Sequence, residues 1–221
     1  MTLGQIAQYQ MRPLANSDLD EIAAWFEQVE DLALFSRRTP LPVNRNAMDR
    51  SWQATIEAGE PRSSYWFVIR SDSDELVGLT GIQDINYIHG DCVLPVFIAP
   101  SERHQGLGAR AAALTLDLAF NQLRLVRVTS YYRADNRVSR NLCKHLGLTE
   151  EGCMRNAWFA QGRSMDMVVV GILADKWQQH RTELNSQLSI DKIIRMGSLN
   201  FGVYRWPYTE NAISDLSATR C

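Results

Sequence analysis

Residues 103–109, Arg-His-Gln-Gly-Leu-Gly-Ala, constrain this chain more than any other stretch. They follow an apolar run, Val93 to Ile98, and open a helix-like run, Ala109 to Leu123. A strand, a glycine-bearing loop and a helix in that order point to an α/β arrangement with an anion pocket at the turn. Glycines let backbone N–H groups approach an anion with no side chain in the way. The first helical turn adds unpaired donors and the positive end of its dipole. A ligand carrying a pyrophosphate is what such a turn suits.

A chain of 221 residues fits one domain with an embellishment, or two small ones. Its 45% hydrophobic and 22% charged residues are enough to bury a core. A net charge of −2 gives no general nucleic-acid or anionic-membrane footprint. No run approaches the roughly 18 apolar residues of a membrane span, and the N-terminus lacks a secretory pattern. The four cysteines, Cys92, Cys143, Cys153 and Cys221, show no CxxC spacing and read as free thiols. The four histidines are dispersed, so no metal site is expected.

Gln8 to Pro13 reads as a strand, and Ser17 as the cap of a helix reaching about Val29. Two prolines make residues 37–42 a loop, and Asn46 to Ala58 returns to helix. Strands follow at Tyr65 to Arg70, Glu75 to Ile85 and Val93 to Ile98. After the glycine loop a helix runs to about Asn121. Leu125 to Tyr132 is a strand, and Asn136 to Leu146 a helix ended by Gly147. Thr149 to Phe159 and Arg163 to Leu173 form a hairpin around Gln161-Gly162. Beyond Leu173 the pattern turns polar, with a sparse stripe of Trp177, Leu184, Leu188 and Ile193. Leu199, Phe201 and Val203 then alternate like a strand. Residues 1–175 read as the domain, and 176–221 as a tail that packs on it or forms a dimer arm.

Gly106 to Ala111 also fits the dinucleotide pattern G-x-G-x-x-A. Two features oppose that reading. Seven residues separate Ile98 from Gly106, whereas a Rossmann turn follows its strand closely. The acidic residue expected about 20 positions on is absent, since Val126 lies there. No nucleoside-triphosphate loop exists. Arg103-x-x-Gly106-x-Gly108 instead resembles the Arg/Gln-x-x-Gly-x-Gly/Ala signature of GNAT-type N-acetyltransferases. Met11 to Leu14 resembles the family's first strand, Asn136-Arg137-Val138-Ser139 its Asn-x-x-Ser, and Leu146-Gly147-Leu148 its Leu-Gly-Phe. Glu151 to Ala157, with Gly162 and Asp166, resembles the ending of the ribosomal-protein N-terminal acetyltransferase branch. The likeness covers about residues 8 to 173.

This resemblance implies a mixed, mostly antiparallel twisted sheet of about seven strands flanked by helices, an α/β (α+β) fold. It implies acetyl-CoA as cofactor and an amine, a peptide N-terminus or small molecule, as acceptor. Backbone N–H groups of His104, Gln105, Gly106, Leu107, Gly108 and Ala109 would cradle the pyrophosphate, with Arg103 beside it. Val96, Phe97 and Ile98 would pair with the pantetheine amides, as a strand pairs with a sheet edge. Pro95 lacks a ladder donor and marks the break from which the family's V-shaped slot opens. Asn136 would reach the pantetheine or hold the loop.

Acetyl transfer needs a neutral amine and a proton for the departing thiolate. Many relatives supply that proton from a tyrosine where Cys143 stands here. The ribosomal-protein branch uses the serine matching Ser139. We expect Ser139 as the acid and Cys143 lining the thioester. The three positions at which relatives carry a basic glutamate hold Trp158, Val93 and Tyr131. Asp91 is the substitute, in phase with Val93, though turn formation is its ordinary use. An α-amine of pKa about 8 needs about 1.4 kcal/mol to be neutral at pH 7, and a lysine about 4.6 kcal/mol. A site without an evident strong base therefore suits an α-amine or amino sugar. Acceptor choice should reside in residues 30–46, with Arg37 and Arg38, in the loop 84–91 and in the hairpin 158–164. A cytoplasmic enzyme, proposed as a homodimer, is the leading expectation. A CoA-binding module with little catalysis is the alternative, and a nicotinamide or flavin dehydrogenase is a third.

Overall fold

In the computed structural model the described residues are 9–27, 34–35, 52–53 and 55–196. The expected strand at 199–203, the arginines at 37 and 38, and Cys221 lie outside them. So does most of the helix expected at 46–58, of which residues 52, 53, 55 and 56 are helical.

One sheet of nine strands organises the described residues. The strands are β1 (Tyr9–Pro13), β2 (Tyr65–Ser71), β3 (Leu76–Asn86), β4 (Asp91–Val93), β5 (Val96–Ile98), β6 (Arg127–Arg133), β7 (Thr149–Ala160), β8 (Arg163–Leu173) and β9 (Ile194–Met196). The sheet order is β7-β8-β6-β4-β3-β2-β1-β9, with β5 also on β3. Among these strands β4 with β6 and β1 with β9 run parallel, and the other pairs are antiparallel. The count exceeds seven for two reasons. The expected strand 93–98 is broken at Leu94-Pro95, and β9 adds an edge strand from the tail.

Alternation places two cores on the two faces. Met11, Ile69, Val128 and Tyr132 face the larger core, and Val68, Leu79 and Phe97 the smaller. The smaller is closed by α1 (Leu19–Trp25), which presents Leu19, Ile22 and Ala23. Its N-terminal anchor is Asp18 rather than Ser17. The fully buried Asp18 carboxylate accepts from the Ala15 N–H at 2.9 Å and pairs with Arg12 at 2.6 Å and Arg70 at 2.7 Å. Burial pushes that carboxyl up, but these hydrogen bonds outweigh it and hold it below the usual range.

The larger core is covered by α2 (Leu107–Asp117), α3 (Arg137–His145) and α4 (Ala174–Leu188). α2 continues into a π-type turn over Leu118–Gln122, and Gly147 (φ +82°) follows α3 in the left-handed position a helix C-terminus favours. α4 was legible only as a polar stretch with a thin apolar stripe. It buries Trp177 and Leu184 completely, and the Trp177 Nε1–H donates to Asp117 at 3.3 Å. The short α5 (Ile190–Ile193) leads into β9, which pairs Tyr9 with Ile194. The described part of the tail thus belongs to the same core as the sheet. Among the described residues no helix is long and apolar enough to cross a membrane, and no group of His, Cys, Asp or Glu is suited to a metal.

Candidate active site

The site begins where β4 ends. Asp91, Cys92 and Val93 lie beside Arg127, Val128 and Thr129 of β6, and the Leu94 N–H still donates to the Thr129 carbonyl at 2.9 Å. The Ser130 hydroxyl holds the Leu94 carbonyl at 2.9 Å. Then the chain leaves β6. The Pro95 carbonyl accepts from the Thr80 hydroxyl at 3.0 Å and the Gly81 N–H at 3.3 Å, both on β3. β5 pairs with β3 through Val96, Phe97 and Ile98. Strands adjacent at Val93 have therefore parted by Val96, and a slot opens with its apex at Leu94-Pro95.

The glycine turn stands at the mouth of this slot. The 3-10 turn Pro100–Glu102 lies within the seven-residue gap that the dinucleotide reading did not allow. His104 and Gly106 both take left-handed backbone, φ +69° and +74°. Gly106 is followed by Leu107 as the first residue of α2, so the N–H groups of Leu107, Gly108 and Ala109 fall in the first turn, where no intrahelical partner exists. A Cβ on Gly108 would come 3.3 Å from Ile98 Cγ1. Glycine there lets α2 pack on β5 and brings the turn alongside the strand edge.

Two of the expected cofactor residues act within the protein. Arg103 donates from Nε to the Ile98 carbonyl at 3.0 Å, and its guanidinium lies 5.6 Å over the Phe97 ring. It is a strut of the loop. The Phe97 side chain is buried against Phe26 and Trp25, so only its backbone is offered. Val96 and Ile98 are half-buried and take the opposite face.

Asn136 caps α3, its Oδ1 accepting from the Ser139 N–H at 3.0 Å. Its Nδ2 and the Ser139 hydroxyl make no hydrogen bond among the described residues, and Ser139 is half-buried. Cys143, one helical turn on, is buried, and burial pushes its thiol up to about 12. It borders a cavity of about 370 Å³ with Tyr132, Arg140 and Glu150. The Tyr132 hydroxyl donates to Glu150 at 2.7 Å. Burial, and then that carboxylate, raise the phenol to about 12. Asp91 lies three residues before the apex, about 10 Å along the strand. It sits beside Arg127, which pairs with Glu151 across the Cβ-free space of Gly171. That ion pair was not foreseen; Gly171 in an apolar strand was its one trace in the sequence.

A strand, β5, that has parted from β6 beside a glycine turn is the arrangement expected of an enzyme class that takes an acyl-CoA along a strand edge. The chain belongs to the GNAT acetyltransferases: residues 9–149 match the family described as the acetyltransferase (GNAT) domain. It is an acetyl-CoA-dependent N-acetyltransferase acting on an amine. The spermidine N(1)-acetyltransferase of Vibrio cholerae is 29% identical over 111 residues, 50% of this chain and 64% of that protein. The spermidine N(1)-acetyltransferase of Escherichia coli K12 is 23% identical over 180 residues, 78% and 90% of the two chains. The crystal structure of the Vibrio cholerae enzyme in complex with CoA and spermine superposes with a TM-score of 0.70 at 24% identity, over 77% of this chain and 98% of that one. A Bacillus subtilis protein provisionally named for ribosomal acetylation, YdaF, is 24% identical over 103 residues, 47% of this chain and 56% of that protein.

Proposed function

We propose that this enzyme acetylates a primary amine of a small molecule, with alkyl polyamines as the leading class. The observation that carries the acceptor class is the likeness to two spermidine N(1)-acetyltransferases. The slot supports the cofactor half of the reaction. Among the described residues β5 pairs with β3 on one side, which leaves its other edge for pantetheine amides, and the left-handed Gly106 with the open first turn of α2 suits a diphosphate.

Bound acetyl-CoA supplies the acetyl thioester. The chain's residues then have three tasks. The amides of residues 104–109 hold the diphosphate, with Val96 to Ile98 and the Nδ2 of Asn136 orienting the arm. The Ser139 hydroxyl, without a hydrogen-bond partner among the described residues, donates a proton to the leaving thiolate as the amine nitrogen bonds the acetyl carbon and the acetyl C–S bond breaks. Cys143 remains a neutral thiol lining the site. The amine's own proton leaves through water, with Asp91 as the nearest proposed relay.

A second reading keeps the ribosomal-protein branch and a peptide α-amine. It is favoured by Val93, Tyr131 and Trp158 at the three positions where relatives carry a basic glutamate, because an amine of pKa about 8 requires less help to lose its proton. Turnover with acetyl-CoA against spermidine, spermine, an amino sugar, an α-amine peptide and a lysine peptide separates the two. Preference for the polyamines supports the first reading, and preference for the α-amine peptide replaces it. Free thiols at Cys92, Cys143 and Cys153 fit a reducing compartment such as the cytoplasm. A homodimer is the proposed assembly, and sedimentation of the full chain at the mass of one copy would contradict it.

A further inference from the structure

α4 runs antiparallel along α2. Trp177 and Arg181, in its first half, hold Asp117 at the end of α2, Arg181 at 2.7 Å. Leu188, its last residue, reaches Arg110 near the start of α2. The Arg110 guanidinium donates from Nε to the Leu188 carbonyl at 2.8 Å and from Nη1 to the Gln105 carbonyl at 2.8 Å. The same Nη1 lies 2.9 Å from where a Cβ on Gly106 would be. One side chain thus ties the cofactor turn to the end of the C-terminal helix. It has no carboxylate partner among the described residues, and burial lowers its pKa. A charge held in that state against two neutral carbonyls indicates that its geometry is what matters.

A second strut reaches the same loop from the same side. The Tyr9 hydroxyl donates to Glu102 at 2.9 Å, in the 3-10 turn that precedes the glycines. Tyr9 stands on β1 in register with Ile194 of β9. The segment 174–196 therefore braces the loop twice, directly through Arg110 and indirectly through the strand that carries Tyr9. This segment lies beyond residue 149, where the match to the family ends.

We infer that Arg110 is a positioning residue for cofactor binding, and that the C-terminal segment 174–196 sets the shape of the diphosphate turn through it. Arg110 holds the Gln105 carbonyl back, and this aims the following amides outward. The inference rests on acetyl-CoA as the ligand of that turn. Lysine carries the charge on a single nitrogen and does not reproduce the two separate donor positions, Nε and Nη1, of the planar fork.

The test uses R110Q and R110K in the full chain. Amide hydrogen exchange is followed in peptides spanning 99–109 and 185–189 of the CoA-free protein, and CoA binding is measured by calorimetry. Both variants are expected to speed exchange in both peptides and to weaken CoA binding about tenfold, while kcat at saturating acetyl-CoA stays within twofold. Unchanged exchange in either peptide overturns the inference. So does wild-type CoA affinity in R110Q, or full rescue by R110K, which would reduce Arg110 to a charge. Failure of the wild-type chain to bind CoA would remove the cofactor assignment instead, and the exchange comparison would still decide whether Arg110 shapes the turn.

Discussion

Replacing Gly106 with alanine tests the turn at its tightest point. The residue sits at φ +74°, where a side chain costs about 1 kcal/mol. The new methyl would stand 2.9 Å from Arg110 Nη1, so the guanidinium must shift. Shifting weakens its 2.8 Å bond to the Gln105 carbonyl, a charged hydrogen bond worth about 1.5 kcal/mol. With the strain and loss of about two-thirds of that bond, about 2 kcal/mol falls on the loop, equivalent to about a 30-fold loss of CoA affinity. Gly162 is the control. It has nearly the same backbone, φ +76°, with nothing within 4 Å of its absent Cβ, and it lies in the β7–β8 turn. Calorimetry with CoA should show weakening of this order in G106A and none in G162A, while both lose a few degrees of thermal midpoint. CoA affinity in G106A within threefold of the wild type, or equal weakening in G162A, would refute the reasoning.

S139A should lower kcat by about 10²-fold with little change in acetyl-CoA KM, the range general acid–base catalysis supplies, and a kcat within twofold of wild type removes Ser139 as the acid. Native alkylation at pH 8 followed by site-resolved mass spectrometry should label the exposed Cys153 and spare Cys92 and Cys143, whose buried thiols are pushed up to about 12. Because the Asp18 carboxyl is held below its ordinary 3.8, its contribution to stability is full above about pH 4 and is lost as pH falls through the folded value. D18N should cost about 3 kcal/mol in urea melts at pH 7 and flatten the acid limb, and an unchanged limb contradicts the pairing with Arg12 and Arg70.

The order of strands and helices was readable because each element declares itself over a few residues. Thr149 to Phe159 and Arg163 to Leu173 alternate around Gln161-Gly162, and both turn residues take positive φ, +54° and +76°. Pro95 announced the break that opens the slot. What the sequence concealed depends on contacts distant along the chain. Ser17 matched a cap by type, but Asp18 won the position because Arg70, 52 residues away, meets it there. The resemblance to the family signature placed Arg103 beside the phosphate, and the fold shows its Nε turned back onto the Ile98 carbonyl. The polar tail from 176 read as packing on the domain or forming a dimer arm, and its composition left that choice open. Trp177 alone, with Asp117 waiting sixty residues earlier, makes it a packed helix.

The central claim is that main-chain amides of residues 104–109 bind the diphosphate of acetyl-CoA while β5 receives the arm. A crystal structure of the full chain with CoA measures this directly. The account predicts diphosphate oxygens within hydrogen-bonding distance of those amides and pantetheine amides in register with Val96 and Ile98. CoA density away from this turn, or an arm that does not follow β5, would contradict it.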